Sequence, residues 1–146
     1  MKILLVSDSH GDDTALREIA NKHNNCDYYI HLGDSQSTPD LIRPFISVRG
    51  NCDYYSSKFI NHIELNSPFG KIYCEHIPYY QMSIPKLKKE GYKIYLCGHT
   101  HRRQDEVIDG IHVINPGSIK YPRDAHEGYA IIEITDKAVK CKFYNL

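Results

Sequence analysis

KILLVSDSHG, residues 2–11, passes from an apolar run straight into a polar turn that carries an acid and an imidazole. The run KILLVS (2–7) has strand length and no alternation, the pattern of a central strand covered on both faces. Asp8 and His10 end it far earlier than the apolar stretch of a secretory leader would end. Outward from there, Asp12 or Asp13 can cap a helix whose Leu16, Ile19 and Ala20 form one apolar stripe, ending in the polar run His23-Asn24-Asn25. A second strand over 27–32 (DYYIHL) stops at Gly33-Asp34. A short helical turn near 40–43 is broken by Pro44, and a third strand over 45–49 (FISVR) stops at Gly50-Asn51. Strand–helix–strand–helix–strand is the signature of a parallel α/β sheet. Each polar stop falls at a strand's C-terminal end, where open α/β sheets bind ligands.

The second half alternates differently. Segments 58–66 and 70–76 flank Ser67-Pro68-Phe69-Gly70 and read as a hairpin. A helix is expected over 84–90, with Pro85 in its first turn and Gly91 past its end. The strand KIYLC (93–97) leads into Gly98-His99-Thr100-His101. Segments 104–109 and 111–115 pair around Asp109-Gly110, a strong hairpin signal, and strands over 128–134 and 138–144 finish the chain. The pattern fits an α/β fold of two mixed sheets packed face to face with helices outside, as one domain over residues 1–146.

Composition narrows the function classes. Eighteen Lys and Arg balance eighteen Asp and Glu, so nothing suggests general attraction to nucleic acid or to an anionic membrane. No apolar run approaches the ~20 residues of a bilayer span. Five cysteines without a CxxC pair read as reduced thiols, and a cytoplasmic location is expected.

Five strand-end segments carry metal-ligand chemistry: Asp8-Ser9-His10, Gly33-Asp34, Gly50-Asn51, Glu75-His76 and His99-Thr100-His101. On extended backbone, residues two apart point the same way, so Asp8 and His10 can face one ion, and His99 and His101 one pocket. Carboxylate with imidazole suits Mn2+, Fe2+ or Zn2+ better than Ca2+. Glycines before Asp34, Asn51 and His99 allow sharp turns and close backbone approach. Two divalent ions about 4 Å apart repel, and a bridging carboxylate offsets that repulsion. A bridging water then loses a proton at neutral pH and becomes a nucleophile, while both ions neutralise phosphate oxygens.

The ordered set SDSHG, HLGD, GNCD, His76 and GHTH resembles the calcineurin-like metallophosphoesterases. It looks most like their small prokaryotic members, the YfcE-like phosphodiesterases, and Asn115-Pro116-Gly117-Ser118 is similar to that subfamily too. The resemblance implies a four-layer α/β/β/α sandwich and two divalent metal ions. It places Asp8, His10 and His101 on the first, Asn51, His76 and His99 on the second, and Asp34 between them. Asp34, Asn51 and His76 would be the catalytic members. Mn2+ is the metal expected, with Ni2+, Fe2+, Zn2+ or Mg2+ as alternatives. Larger family members have His where Cys52 stands, and that His protonates the leaving group; many relatives continue after the His76 position with Gly and a further His, where Ile77 and Pro78 stand here. Without a general acid, esters with good leaving groups react best, so the expected activity is that of a phosphodiesterase acting on a small-molecule diester through a metal-bridging hydroxide. Arg123 and the Gly117-Ser118 amides, with Arg102 and Arg103, are candidates to contact phosphate oxygens.

Single residues also have plainer readings: Asp8 as a loop cap, Asp34 and Asn51 as turn residues, and the arginines as surface residues. His31 is expected to hydrogen-bond behind the site or simply to pack, and Asp53 to orient a ligand or a turn. Tyr79 and Tyr80 either line the pocket or pack. A Vps29-like, non-catalytic protein-interaction scaffold is the competing function, and seven competent side chains weigh against it. A homo-oligomer is compatible with the resemblance; no specific nucleic-acid partner is indicated.

Overall fold

The computed structural model describes residues 1–54 and 58–146. The elements run β1 (Lys2–Val6), α1 (Asp13–Lys22), β2 (Tyr28–His31), β3 (Ile46–Ser47), β4 (His62–Asn66), β5 (Lys71–Glu75), α2 (Tyr80–Lys89), β6 (Tyr92–Leu96), β7 (Arg103–Ile108), β8 (Ile111–Pro116), β9 (Gly128–Ile134) and β10 (Val139–Asn145). They form two five-stranded sheets, ordered β10-β9-β1-β2-β3 and β4-β5-β6-β8-β7. Both are mixed. β1, β2 and β3 run parallel in the first, and β5, β6 and β8 in the second, with antiparallel strands toward the edges.

The apolar run of β1 is buried on both faces, as its lack of alternation requires. Ile3 and Leu5 join Ile30, Leu32, Ile72, Ile94, Leu96 and Ile114 in the core between the sheets. Leu4 and Val6 turn outward and pack with Leu16 and Ile19 of α1 and with Tyr129 and Ile131 of β9. On the far side, Ile84 and Leu87 of α2 cover Tyr92, Tyr95 and Val113. The layers are therefore α/β/β/α, the four-layer sandwich.

Several boundaries differ from the sequence reading. The helical turn near 40–43 is a run of turns without helix: the Thr38 carbonyl accepts from Leu41 and Ile42, and Pro44 cannot extend the ladder. The strand expected over 45–49 pairs only at Ile46–Ser47, and that over 58–66 is regular only at His62–Asn66, with Ile60 bridging Val48. α2 starts at Tyr80, ahead of the expected 84, and carries Pro85 in its interior. Its amphipathic face explains the extension: Ile84 and Leu87 anchor it to the sheet, while Pro85 and Gln81, whose carbonyl loses a donor to Pro85, face water. Among the described residues no helix is long and apolar enough to cross a membrane.

Candidate metal centre

The C-terminal ends of β1, β2, β5 and β6 open onto one edge of the sandwich, and the loops there lean on one another. Beyond the last β1–β2 pair the ladder continues through the loops. The Asp8 amide donates to the Gly33 carbonyl at 3.0 Å, the His10 amide to Asp34 at 3.0 Å, and the Gly11 amide to Ser35 at 2.8 Å. These loops are not extended. Asp8, His10, Asp34, His99 and His101 all have left-handed backbone, with φ between 43° and 67°. The expected side-by-side orientation of Asp8 with His10, and of His99 with His101, therefore comes from left-handed turns rather than from strand alternation. L residues pay for this conformation, and such strain gathers where function demands it.

Three close approaches explain glycines at these loops. A side chain on Gly50 would collide with the Asp34 carboxylate, one on Gly98 with the Ser7 hydroxyl, and one on Gly33 with the His76 ring. Gly33 also has φ +97°, which its Cβ-free backbone accommodates.

Three groups of ligand atoms lie within 4.8 Å of one another among the described residues: Asp8, His10 and His101 in the first, Asp34, His76 and His99 in the second, and His10, Asp34 and Cys52 in a third that overlaps both. Asn51 joins the second: its Oδ1 lies 2.9 Å from His76 Nε2 and 3.1 Å from His99 Nδ1. Asp34 Oδ2 is 3.2 Å from His76 Nε2. All seven sequence candidates thus converge. The imidazoles are held by their outer nitrogens. His76 Nδ1 donates to the Leu32 carbonyl at 2.6 Å, and His101 Nδ1 to the Tyr121 carbonyl at 2.6 Å. His10 Nδ1 meets Gln36 Oε1 at 2.7 Å. A carbonyl oxygen can only accept, so Nδ1 of His76 and of His101 carries a proton, and each Nε2 is turned inward as the atom that a metal would take once that nitrogen gives up its own proton.

The donor set fits divalent cations on a second ground. Asp8 Oδ1 and His10 Nε2 are buried with no hydrogen-bond partner. Asp8 Oδ1 lies 3.1 Å from His101 Nε2, but the contact is not aligned as a hydrogen bond. Buried polar atoms without partners are costly, and converging lone pairs have a cation as their natural partner.

The local field agrees. Burial alone would raise the Asp34 pKa; the His76 hydrogen bond and charge, with the Cys52 amide, bring it down to about 2. The His76 pKa is raised: burial opposes its charge, but Asp34 and Asp8 outweigh burial. That of His101 is raised first by its contact with Asp8. His99 is lowered, by burial and then by the charge of His76.

Behind these residues stands a supporting shell. Asp53 accepts from the Asp34 amide at 2.9 Å, the Gly50 amide at 2.7 Å and the Gln36 amide at 2.8 Å, binding two ligand loops together. His31 accepts from the Gly33 amide through Nδ1 at 3.0 Å, so its Nε2 donates to Ser9 Oγ at 2.8 Å. Burial pushes its pKa down to about 4, which keeps it neutral. Asn115 donates to the Gly98 carbonyl and Thr100 hydroxyl and fixes the GHTH loop.

The phosphate-contact candidates separate. Ser118 is fully buried; its hydroxyl donates to the Asp8 carbonyl at 2.8 Å and accepts from the Lys120 and Tyr121 amides. The Gly117 amide is taken by Asn115 Oδ1. The Ser118 hydroxyl and the Gly117 amide thus brace the loops around Asp8 and Asn115. Arg103 points away, its guanidinium donating to Tyr144 O and Asn145 Oδ1. Arg123 is exposed, its amide donates to the His101 carbonyl at 2.8 Å, and its charge is felt at His101, so it stands at the rim. Gln36, Ser7 and Tyr121 also hold the site and were not singled out; Tyr121 acts through its backbone carbonyl, which no residue type signals. Cys52 Sγ lies within 4.8 Å of ligand atoms of His10 and Asp34, and burial, then the Asp34 charge, raises its thiol pKa.

Comparison with known proteins agrees with this geometry. Residues 1–137 match the calcineurin-like phosphoesterase superfamily domain. The chain is 34% identical to the "Probable metallophosphoesterase YsnB" of Bacillus subtilis (strain 168), over 99% of this chain and 91% of that protein. The crystal structure of a predicted phosphoesterase from Streptococcus pneumoniae TIGR4 superposes with a TM-score of 0.86 at 29% identity, covering 99% of this chain and 88% of that one. An archaeal phosphodiesterase gives 0.75 at 25% identity, over 99% and 100% of the two chains. Vps29 from Entamoeba histolytica shares the fold, with a TM-score of 0.73 at 19% identity, over 100% and 99%. The chain belongs to the calcineurin-like phosphoesterase superfamily.

Proposed function

We propose that the chain is a metal-dependent phosphodiesterase of small-molecule substrates, working through two divalent cations, with Mn2+ the first choice. Asp8, His10 and His101 would hold one cation, Asn51, His76 and His99 the other, and Asp34 would lie between them. The observation that carries this reading is the convergence of these side chains, with Asp8 Oδ1 and His10 Nε2 buried and unpartnered. Two such cations, when bound, supply a water acidified enough to attack phosphorus and neutralise charge on the phosphate oxygens.

The protein's own contribution is positional. Leu32, Tyr121 and Gln36 orient three imidazoles, and Asp53 fixes the Asp34 loop against the Gly50 turn. Arg123 at the rim offers a charge to a phosphate oxygen. Cys52 stands beside His10 and Asp34 with a thiol too weakly acidic to serve well as a proton donor. Leaving groups that need no protonation are therefore favoured, and this is why a diester with a good leaving group is the substrate proposed. A cytoplasmic setting suits its reduced thiols. The Vps29-like scaffold reading shares the fold, and catalytic activity is what separates it from the phosphodiesterase reading.

The test is a metal-by-substrate screen: bis(p-nitrophenyl) phosphate against p-nitrophenyl phosphate, with Mn2+, Ni2+, Fe2+, Zn2+ and Mg2+. Faster hydrolysis of the diester is expected. A strong preference for the monoester would overturn the phosphodiesterase assignment, and inactivity with every metal would favour the scaffold.

A further inference from the structure

On the outer face of the second sheet, between α2 and the β4–β5 edge, lies a cavity of about 510 Å³. It is lined by Tyr73, Tyr79 and Met82 and by the carboxylates of Glu64 and Glu75. A second cavity, of about 320 Å³, borders Asn51 and His76 of the metal centre, and Glu75 and Tyr79 line it too. The two spaces share that pair as lining residues and so lie side by side between the second ligand group and the α2 face, forming one surface groove for a ligand that spans both.

The chemistry of the groove is specific. Glu75 Oε1 is held by the hydroxyls of Tyr95 and Ser83, and Glu64 Oε1 by the Tyr92 hydroxyl at 2.6 Å. Each carboxylate is thereby oriented with its other oxygen left to accept. Carboxylates only accept, so the matching ligand must donate N–H or O–H groups. Tyr73 stacks on His62 at 5.3 Å and 15°, and the exposed Tyr79 ring stands where the spaces meet, so the walls suit a flat ring. Lys86 lines the same cavity, which disfavours a quaternary-ammonium occupant. The volume exceeds what a simple alkyl ester would fill.

We infer that this groove is a nucleoside subsite, taking a nucleobase with an exocyclic amino group (adenine, guanine or cytosine) as the alcohol side of a phosphodiester whose phosphate sits at the metal centre. The inference rests on the phosphodiesterase reading for its link to catalysis, but nucleoside binding does not depend on it.

The chain has two methionines, Met1 and Met82, and only Met82 lines the cavity. In protein carrying 13C-methyl methionine, titration with adenosine, guanosine or cytidine is expected to shift the Met82 methyl saturably and leave Met1 in place. Uridine is expected to bind at least fivefold more weakly, and Tyr79→Ala to weaken binding at least tenfold. A silent Met82, or equal response to all four nucleosides, overturns the inference. In parallel, guanosine 5′-(p-nitrophenyl phosphate) is expected to show a KM at least tenfold below that of bis(p-nitrophenyl) phosphate, with that advantage lost in Tyr79→Ala. Hydrolysis of the simple diester with a silent Met82 defeats the subsite alone. A Met82 response without any hydrolysis defeats the phosphodiesterase reading and leaves a nucleoside site. Equal KM values with a Met82 response defeat the link between groove and catalysis.

Discussion

The two halves of the metal centre are built from similar residues but stand in different states of satisfaction. In the half formed by Asp8, His10 and His101, outer nitrogens are anchored, and the inward atoms Asp8 Oδ1 and His10 Nε2 have no hydrogen-bond partner. In the other half, Asn51 Oδ1 lies against both His76 and His99, and His76 Nε2 against Asp34. The first half gives up little when a cation arrives, whereas the second must exchange internal contacts for coordination. On the two-cation reading proposed above, tighter binding at the first half is the expected outcome, and the experiments below can break or sharpen that contrast.

The largest effect is expected where the halves meet. Asp34→Asn removes the charge that both would share, and the lost electrostatic stabilisation of the transition state is expected to cost on the order of 10³-fold in kcat/KM toward bis(p-nitrophenyl) phosphate. Near-wild-type turnover would end its bridging role.

Next comes pH, through the support of the first half. His31 holds Ser9, between Asp8 and His10, as a neutral donor. Its folded pKa of about 4 lies below the ordinary 6.5, so between those values the unfolded chain binds the extra proton and stability falls as pH falls. The gap corresponds to about 3 kcal/mol, present above pH 6.5 and gone below about pH 4. Denaturant melts of metal-free protein should show this slope, and His31→Gln should flatten it. His76 and His101, raised instead, contribute with opposite sign, favouring the fold below 6.5 and losing that contribution as pH rises through their folded values. Because both must be neutral to bind a cation, metal affinity should weaken as the medium is acidified.

Asn51→Ala separates the halves directly. It should weaken only the looser phase of a metal titration, by about 10–100-fold, and leave the tight phase in place. Loss of both phases would mean that the halves bind as one unit. The smallest effect belongs to Ser118→Ala, which deletes the hydroxyl bracing the Asp8 carbonyl. A fall of about 1–2 kcal/mol in stability is expected, with two-phase metal binding retained.

Much of this was legible in the chain. The candidate ligands, which the structure brings together, could be read because each sits where a strand ends at a polar pair, as at Leu32-Gly33-Asp34 and Cys97-Gly98-His99. The four layers followed from uninterrupted runs such as Ile3–Val6 set against the hairpins. What escaped depends on features that residue identity does not encode. Left-handed backbone at Asp8 and His101 is set by how neighbouring loops bond. The Tyr121 carbonyl is the same group on any residue. The start of α2 was hidden because Tyr79 caps it without a side-chain hydrogen bond, and Pro85 imitated a first-turn proline. The burial of Ser118 is a tertiary fact that its residue type does not signal.

The hydrogen bonds that carry the β1–β2 ladder past its strands, from Asp8 to Gly33, His10 to Asp34 and Gly11 to Ser35, also bear on time. A pocket zipped into the sheet in this way cannot open by fraying alone; it opens when the central strands do. Cations should then enter and leave an already assembled cradle, so that remetallation of stripped protein runs at the pace of ligand exchange and not of refolding. The amides of Asp8 and His10 should trade hydrogen with solvent as slowly as those of the strand before them.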